Sequence, residues 1–187
     1  MAKRKPLVYW EACVQIALFQ DEKRAAGEME GVASVVKQHD AGDIVLCTSV
    51  LTRVEVLEGR LTDAQRNRYR TFMLRPDVQE IGVTKRIVER AAQLRTEFHL
   101  ESLDALHLAT ALEYEVPVLH TFDGAGKRGG GLLRLANEAS LKDRIAIRKP
   151  AAPQLALFDA TGGPQYPEAQ PETAKEQAKP HRTTKKR

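Results

Sequence analysis

Four acidic residues occupy positions where the chain is expected to leave a strand or enter a helix: Glu11, Glu55, Asp104 and Asp123. Carboxylates that converge raise one another's pKa and destabilise the fold unless a cation neutralises them. Carboxylate oxygens suit Mg²⁺ or Mn²⁺ better than zinc. Such ions activate a water molecule and stabilise the leaving oxygen when a phosphodiester is cut. The four acids therefore predict a divalent-metal site suited to nuclease chemistry.

Each acid also has an ordinary structural explanation. Asp104 could only cap a helix, and Glu55 could only complete a capping box. Asp123 precedes Gly124 and could be a turn residue. Glu11 is harder to explain this way, because an acid directly after a buried strand needs a partner. The shared placement of the four acids, rather than any one of them, supports a site.

Alternating strands and helices must position these acids. Short apolar runs predict three strands and weaker patterns predict two more, in chain order Leu7–Trp10, Ile44–Cys47, Val78–Val83 (weak), Val116–Thr121 and Arg144–Ile147 (weak). Predicted helices span Glu22–Gln38, Thr52–Gly59, Thr62–Leu74, Thr84–Phe98 and Asp104–Tyr114, with Thr52 and Thr84 as N-caps and Asp104 opening the last. This alternation predicts an α/β domain whose central sheet is parallel or mostly parallel. Ligands of such sheets bind at the carboxyl ends of the strands.

Composition narrows the class of protein. The chain has 29 Lys and Arg against 25 Asp and Glu, so it is only mildly basic and any nucleic-acid contact must come from local patches. Cys13 and Cys47 fit neither a zinc site nor a disulfide framework, which favours two reduced core thiols. No run approaches the ~20 apolar residues of a membrane span, so we expect a cytoplasmic protein without a membrane anchor. We expect a folded domain at 1–148 and a disordered, proline-rich, basic-ended tail at 149–187.

Four motifs, in order, resemble those of PIN domains, and the VapC-like toxins of toxin–antitoxin pairs are the most similar type. They are Val8–Val14, Thr48–Gly59, Leu103–Ala111 and Val118–Asp123, and the resemblance spans residues 6–148. It implies a three-layer α/β/α fold and a Mg²⁺- or Mn²⁺-dependent endoribonuclease, usually a homodimer, that cleaves RNA and is held inactive by a small antitoxin. The acids of the family correspond to Glu11, Glu55, Asp104 and Asp123, and Ser49 or Thr121 can supply a supporting hydroxyl.

One position departs from the family pattern. The first acid is normally aspartate, whereas this chain has Glu11. The extra methylene displaces the carboxylate in a site where about half an ångström matters. We therefore expect retained metal binding, attenuated activity, and a gain of activity in Glu11→Asp.

The segment Gly124–Gly129 matches G-x-G-x-x-G, but only one weak strand follows, which disfavours a dinucleotide site. Two interpretations of the loop remain equally open: Lys127 and Arg128 contact RNA phosphates, or the loop is merely solvated. His107, one turn after Asp104, is interpreted as a packing residue rather than a ligand.

The tail contains Gln154–Phe158, an apolar island that resembles sliding-clamp-binding peptides. The favoured alternative is a segment that packs back on the domain or on a dimer partner. For the whole chain, the alternative to an enzyme is a PIN-like module that binds RNA or protein without cutting it. The sequence leaves the RNA open, since tRNA, rRNA and mRNA all fit.

Overall fold

The computed structural model describes residues 5–58, 61–124 and 131–152. Its strands are β1 (Leu7–Trp10), β2 (Val45–Ser49), β3 (Val78–Ile81), β4 (Val118–His120) and β5 (Ala146–Arg148). Its α-helices are α1 (Ala12–Phe19), α2 (Glu28–Asp40), α3 (Leu51–Glu58), α4 (Asp63–Met73), α5 (Lys85–Phe98) and α6 (Ser102–Glu113), and a 3₁₀ turn spans Leu132–Leu135. The five strands are all parallel, in the order β3-β2-β1-β4-β5.

Successive side chains of the central strand, β1, are buried on opposite faces of the sheet, as the two-residue period of a strand requires. Val8 and Trp10 pack in a cluster with residues of α1 and α2. Tyr9 packs in a second cluster with residues of α5 and α6. A third cluster joins α1, α3 and α4. The predicted three-layer α/β/α fold with a parallel sheet is confirmed.

The strand order brings the acid-bearing segments together. β1 lies in the middle of the sheet, and β2 and β4 flank it in parallel, with Tyr9 opposite Cys47 and Trp10 opposite His120. The segments that leave these three strands therefore start at one edge. A backbone hydrogen bond of 3.1 Å from the amide of Glu11 to the carbonyl of His120 continues the pairing beyond β1.

Helix α1 was not predicted. It runs from Ala12 to Phe19 and is apolar at every position except Gln15, so it lacks the amphipathic period that identifies a surface helix. The predicted helix Glu22–Gln38 is correspondingly shorter at its start. It begins at Glu28, after Gly27 adopts a positive φ of 86° that glycine accepts without strain.

The helix caps were predicted with mixed success. Thr84 accepts a hydrogen bond from the Ile87 amide and caps α5 as expected. The prediction for Thr52 is wrong: it lies inside α3, and its hydroxyl is 2.8 Å from that of Thr48. Asp104 does not open α6 either, because the helix begins at Ser102 and Asp104 lies within its first turn.

The end of the described chain lies against α2. Lys149 forms an ion pair of 2.8 Å with Glu28, and a Cβ added at Gly31 would lie 2.2 Å from the carbonyl oxygen of Pro150. Residues 153–187, which include Gln154–Phe158, lie outside the described residues. Among the helices that the structure describes, none is long and apolar enough to cross a membrane.

The close approach at Gly31 predicts an unusual mutational effect. Alanine normally stabilises a helix interior by ~1 kcal/mol relative to glycine. Here we expect Gly31→Ala to lower the free energy of unfolding by roughly 1–3 kcal/mol, because its Cβ would collide with backbone rather than with a flexible side chain. Urea denaturation measures the change.

The matched control is Gly82→Ala, where the added Cβ has nothing within 4 Å. We expect it to change stability little. Equal effects of the two substitutions would contradict the packing of residues 150–151 on α2.

Candidate metal centre

Glu11 is buried at the junction of β1 and α1, with an exposed fraction of 6%. Its extended backbone places it at the N-cap of α1, where its Oε1 accepts a hydrogen bond of 3.2 Å from the Cys13 amide. Its Oε2 accepts a hydrogen bond of 2.8 Å from the Thr121 hydroxyl and another from the Cys13 thiol. Both oxygens of the carboxylate are therefore held by donors of the chain itself.

Thr121 connects the end of β4 to this carboxylate. Its hydroxyl donates to Glu11 and accepts a hydrogen bond of 2.9 Å from the Asp123 amide. The Phe122 amide donates to the Cys13 sulfur at 3.0 Å. The segment that carries Asp123 is thus tied to the start of α1.

The two hydroxyls named from the sequence differ in their contacts. Thr121 is fully buried and touches Glu11 directly. Ser49 is also fully buried, but its hydroxyl accepts a hydrogen bond of 3.3 Å from the Leu51 amide and so supports the start of α3. The contacts favour Thr121 as the supporting hydroxyl.

Glu55 reaches the same region from α3, and its side chain is 21% exposed. Its Oε2 lies 2.7 Å from Nε2 of His107, a residue of α6 that is fully buried. The other ring nitrogen, Nδ1, lies 2.7 Å from the Tyr9 hydroxyl. One oxygen or nitrogen atom from each of Glu11, Glu55 and His107 falls within 4.8 Å of the others.

Asp104 and Asp123 complete the acidic region. Burial, together with the nearby charges of Asp123 and Glu11, raises the pKa of Asp104 to about 6. Burial and the charge of Glu11 also raise the pKa of Asp123 above its usual range. These shifts link both aspartates electrostatically to Glu11, although neither belongs to the tight group around Glu55 and His107.

His107 responds to the same charges. Burial lowers the pKa of its imidazole, but the hydrogen bond to Glu55 and the charges of Glu11, Glu55 and Asp104 outweigh burial and raise it above its usual value. A raised pKa for a buried ring reflects the negative field of the surrounding carboxylates. A divalent cation would relieve that field.

The donor set fits a hard divalent cation. Four carboxylates supply oxygen atoms, the ligands that Mg²⁺ and Mn²⁺ prefer. The Cys13 thiol donates to Glu11, and burial and the charge of Glu11 raise its pKa far above its usual value. The acids therefore suit Mg²⁺ or Mn²⁺.

Comparison with known proteins agrees with the geometry. The family model of the PIN domain matches residues 8–130, which contain all four acids. The chain belongs to the PIN-domain family.

The chain is similar to several solved structures. VapBC2 from Rickettsia felis, bound to a DNA fragment from its promoter, has a TM-score of 0.51 and 11% identity, covering 75% of this chain and 96% of that chain. VapC20 from Mycobacterium tuberculosis, a sarcin–ricin-loop-cleaving toxin, has a TM-score of 0.50 and 17% identity, covering 67% and 96%. A toxin–antitoxin complex from Klebsiella pneumoniae has a TM-score of 0.49 and 26% identity, also covering 67% and 96%. No curated protein sequence matches the chain.

Some contacts of this PIN domain were missed by sequence reasoning. His107 was interpreted as a packing residue, although its spacing of one turn from Asp104 was a usable signal. Cys13 was interpreted as a reduced core thiol, whereas it is half-buried and bonds Glu11. Lys127 and Arg128, proposed as RNA contacts, lie outside the described residues.

The raised pKa of Asp104 predicts a pH-dependent loss of free energy of unfolding in the PIN domain. An acid with a raised folded-state pKa destabilises the fold progressively as pH rises from its unfolded value, near 4, through about 6. In EDTA we therefore expect Asp104→Asn to raise the melting temperature above that of the unmodified chain at pH 8. The difference should shrink as the pH falls toward 4 and vanish below it, where the carboxyl is protonated in both states.

The effect of Asp104 must be taken from the difference in melting temperature between the two proteins, because His120 also makes stability depend on pH. Burial lowers the pKa of His120 to about 3, so its protonation destabilises the folded state in acid. Asp143→Asn, at an exposed position, controls for loss of one negative charge. A melting temperature at pH 8 that Asp104→Asn leaves unchanged or lowers would rule out this electrostatic cost.

Proposed function

We propose that this PIN domain is a Mg²⁺- or Mn²⁺-dependent endoribonuclease and the toxin of a toxin–antitoxin pair. The observation that carries the proposal is the proximity of acids from four segments of the chain: ligand oxygens of Glu11 and Glu55 lie within 4.8 Å of each other, and Asp104 and Asp123 both interact electrostatically with Glu11. Three of the segments leave the adjacent strands β2, β1 and β4, and the fourth is the first turn of α6. Those four acids would hold the cation.

A bound Mg²⁺ or Mn²⁺ would activate water and stabilise negative charge on phosphodiester oxygens. The chain itself positions the acids that would bind the cation. Thr121 and Cys13 hold the Glu11 carboxylate, and Thr121 also holds the amide of Asp123. Side chains held by such bonds lose little freedom when a ligand binds, which favours a well-defined geometry.

A toxin role is supported by fold likeness and by exposed apolar side chains on the two helices that carry Glu55 and Asp104. Among the structures with the same fold are a VapBC complex and a toxin that cleaves the sarcin–ricin loop. Val54 and Leu103, which adjoin Glu55 and Asp104 in sequence, are 55% and 44% exposed. A small antitoxin that docks on α3 and α6 would cover these exposed apolar side chains. We further propose a homodimer that acts in the cytoplasm, where its RNA substrate is found.

One observation favours the alternative of a non-catalytic binding module. Glu11 accepts hydrogen bonds at both oxygens from Cys13 and Thr121, as a helix cap does. A glutamate committed to this structural role would have less capacity for a metal. Activity measurements separate the two functions.

The first measurement is metal-dependent cleavage of RNA. We expect the purified chain to cut RNA with Mn²⁺ or Mg²⁺ and to stop in EDTA. Asp104→Asn should lower the rate by roughly 100-fold or more, because a metal contributes several kcal/mol to the transition state and each 1.36 kcal/mol is tenfold in rate. Equal rates for Asp104→Asn and the control Asp143→Asn would favour the binding module.

The second measurement concerns the length of the side chain at position 11. Aspartate also caps helices well, so Glu11→Asp should keep α1 intact while withdrawing the carboxylate by about 1.5 Å. We expect the Mn²⁺-dependent rate to rise by about 10-fold or more, since ~1 Å of misplacement can cost 100-fold. An unchanged rate with unchanged Mn²⁺ affinity, measured by calorimetry, would argue that glutamate fits the site equally well.

A further inference from the structure

A buried line of hydrogen bonds runs from the core to Glu55. The hydroxyl of Tyr9 is 2.7 Å from Nδ1 of His107, and Nε2 of His107 is 2.7 Å from Oε2 of Glu55. Tyr9 and His107 are fully buried, whereas the Glu55 side chain is 21% exposed. We call these three residues the relay. It joins the sheet interior to a candidate metal ligand.

The proton positions follow from the chemistry of the three groups. An ionised carboxylate only accepts hydrogen bonds, so Nε2 of His107 must carry a proton and donate it to Glu55. The Tyr9 hydroxyl, 2.7 Å from Nδ1, can donate to a neutral ring or accept from a protonated one, so Nε2 carries a proton in both cases. In this arrangement the Nε2 lone pair is not available to a cation. His107 therefore acts as a donor to Glu55 rather than as a ligand.

The anchoring residues are more rigidly placed than the one they hold. Tyr9 lies in β1, which is paired on both sides, and its ring packs edge-on against that of His107 with centroids 5.9 Å apart. His107 lies within α6, between the partly buried Leu106 and the buried Leu108. Glu55 has a long side chain on α3, a helix of eight residues, and ordering such a side chain costs conformational entropy.

We propose that Tyr9 and His107 are positioning residues that orient the Glu55 carboxylate toward Glu11 for metal binding. The proximity of Glu11 supports this role, because ligand atoms of Glu11, Glu55 and His107 lie within 4.8 Å of one another. Residues that orient metal ligands in this way typically contribute 10–100-fold to metal affinity or activity. The inference rests on the proposed metal-dependent function of the same acids.

Four variants separate positioning from simple support of the fold. His107→Leu removes the donor but keeps an apolar side chain in the core. His107→Gln returns an N–H group near the position of Nε2, and Tyr9→Phe removes only the hydroxyl at the far end of the relay. His39→Gln is the matched control, because His39 is also a fully buried helix histidine but pairs with Asp77.

The readouts are Mn²⁺ affinity by calorimetry and the Mn²⁺ concentration that gives half-maximal RNA cleavage. We expect His107→Leu to raise the dissociation constant for Mn²⁺ and the half-maximal Mn²⁺ concentration by about 10–100-fold. Tyr9→Phe should raise both constants less, and His107→Gln should return both most of the way to the values of the unmodified chain. His39→Gln should match the unmodified chain in both. Saturating Mn²⁺ should restore most of the maximal rate of His107→Leu, since the four acids remain.

Thermal unfolding shows which variants are folded. If His107→Leu does not fold, the test rests on His107→Gln and Tyr9→Phe. Unchanged Mn²⁺ constants in the folded variants would overturn the relay while leaving the metal site intact. A His107→Gln affinity as weak as that of folded His107→Leu would also overturn it, because His107 would then be a ligand. An unmodified chain that binds no Mn²⁺ would overturn the relay and the proposed function together.

Discussion

Repulsion between carboxylates at one edge of a parallel sheet is the constraint that organises this molecule. The order β3-β2-β1-β4-β5 starts three acid-bearing segments at adjacent strand ends, and α6 adds a fourth acid. Burial strengthens the interaction between like charges because the local dielectric is lower than that of water. Burial first, and the charges of neighbouring acids second, raise the pKa values of Asp104 and Asp123. Hydrogen bonds from neighbouring residues and, in our proposal, a divalent cation offset the repulsion.

The chain offsets the repulsion locally through two sets of donors. Thr121 and Cys13 donate to Glu11, while His107 donates to Glu55. Each set joins an acid to an element distant in sequence, so the same bonds that stabilise the charges also fix the relative positions of the strands and helices. Stability and the geometry of the candidate site therefore depend on shared contacts, as is common where like charges are gathered for binding.

Much of this arrangement could be predicted from the sequence, because strand alternation and acid placement are local signals. Leu7–Trp10 was predicted with the bounds that the structure has, and the parallel sheet followed from the order of strands and helices. Helix α1 escaped prediction because it is apolar on nearly all sides. The relay escaped because Tyr9 and His107 are separated by 98 positions in the chain, and only the packing of α6 on the sheet brings them together. Long-range pairs of this kind leave no periodic signal in one sequence.

The central claim is that the four acids hold one divalent-metal centre at the carboxyl edge of the sheet. Anomalous diffraction from crystals soaked in Mn²⁺ tests it most directly, because the signal locates manganese independently of activity. Our account predicts a peak bonded to carboxylate oxygens of Asp104 and Glu55, with Glu11 and Asp123 alongside, and its loss in Asp104→Asn crystals. A peak elsewhere, or no peak at saturating Mn²⁺ with the acids well ordered, would contradict the account.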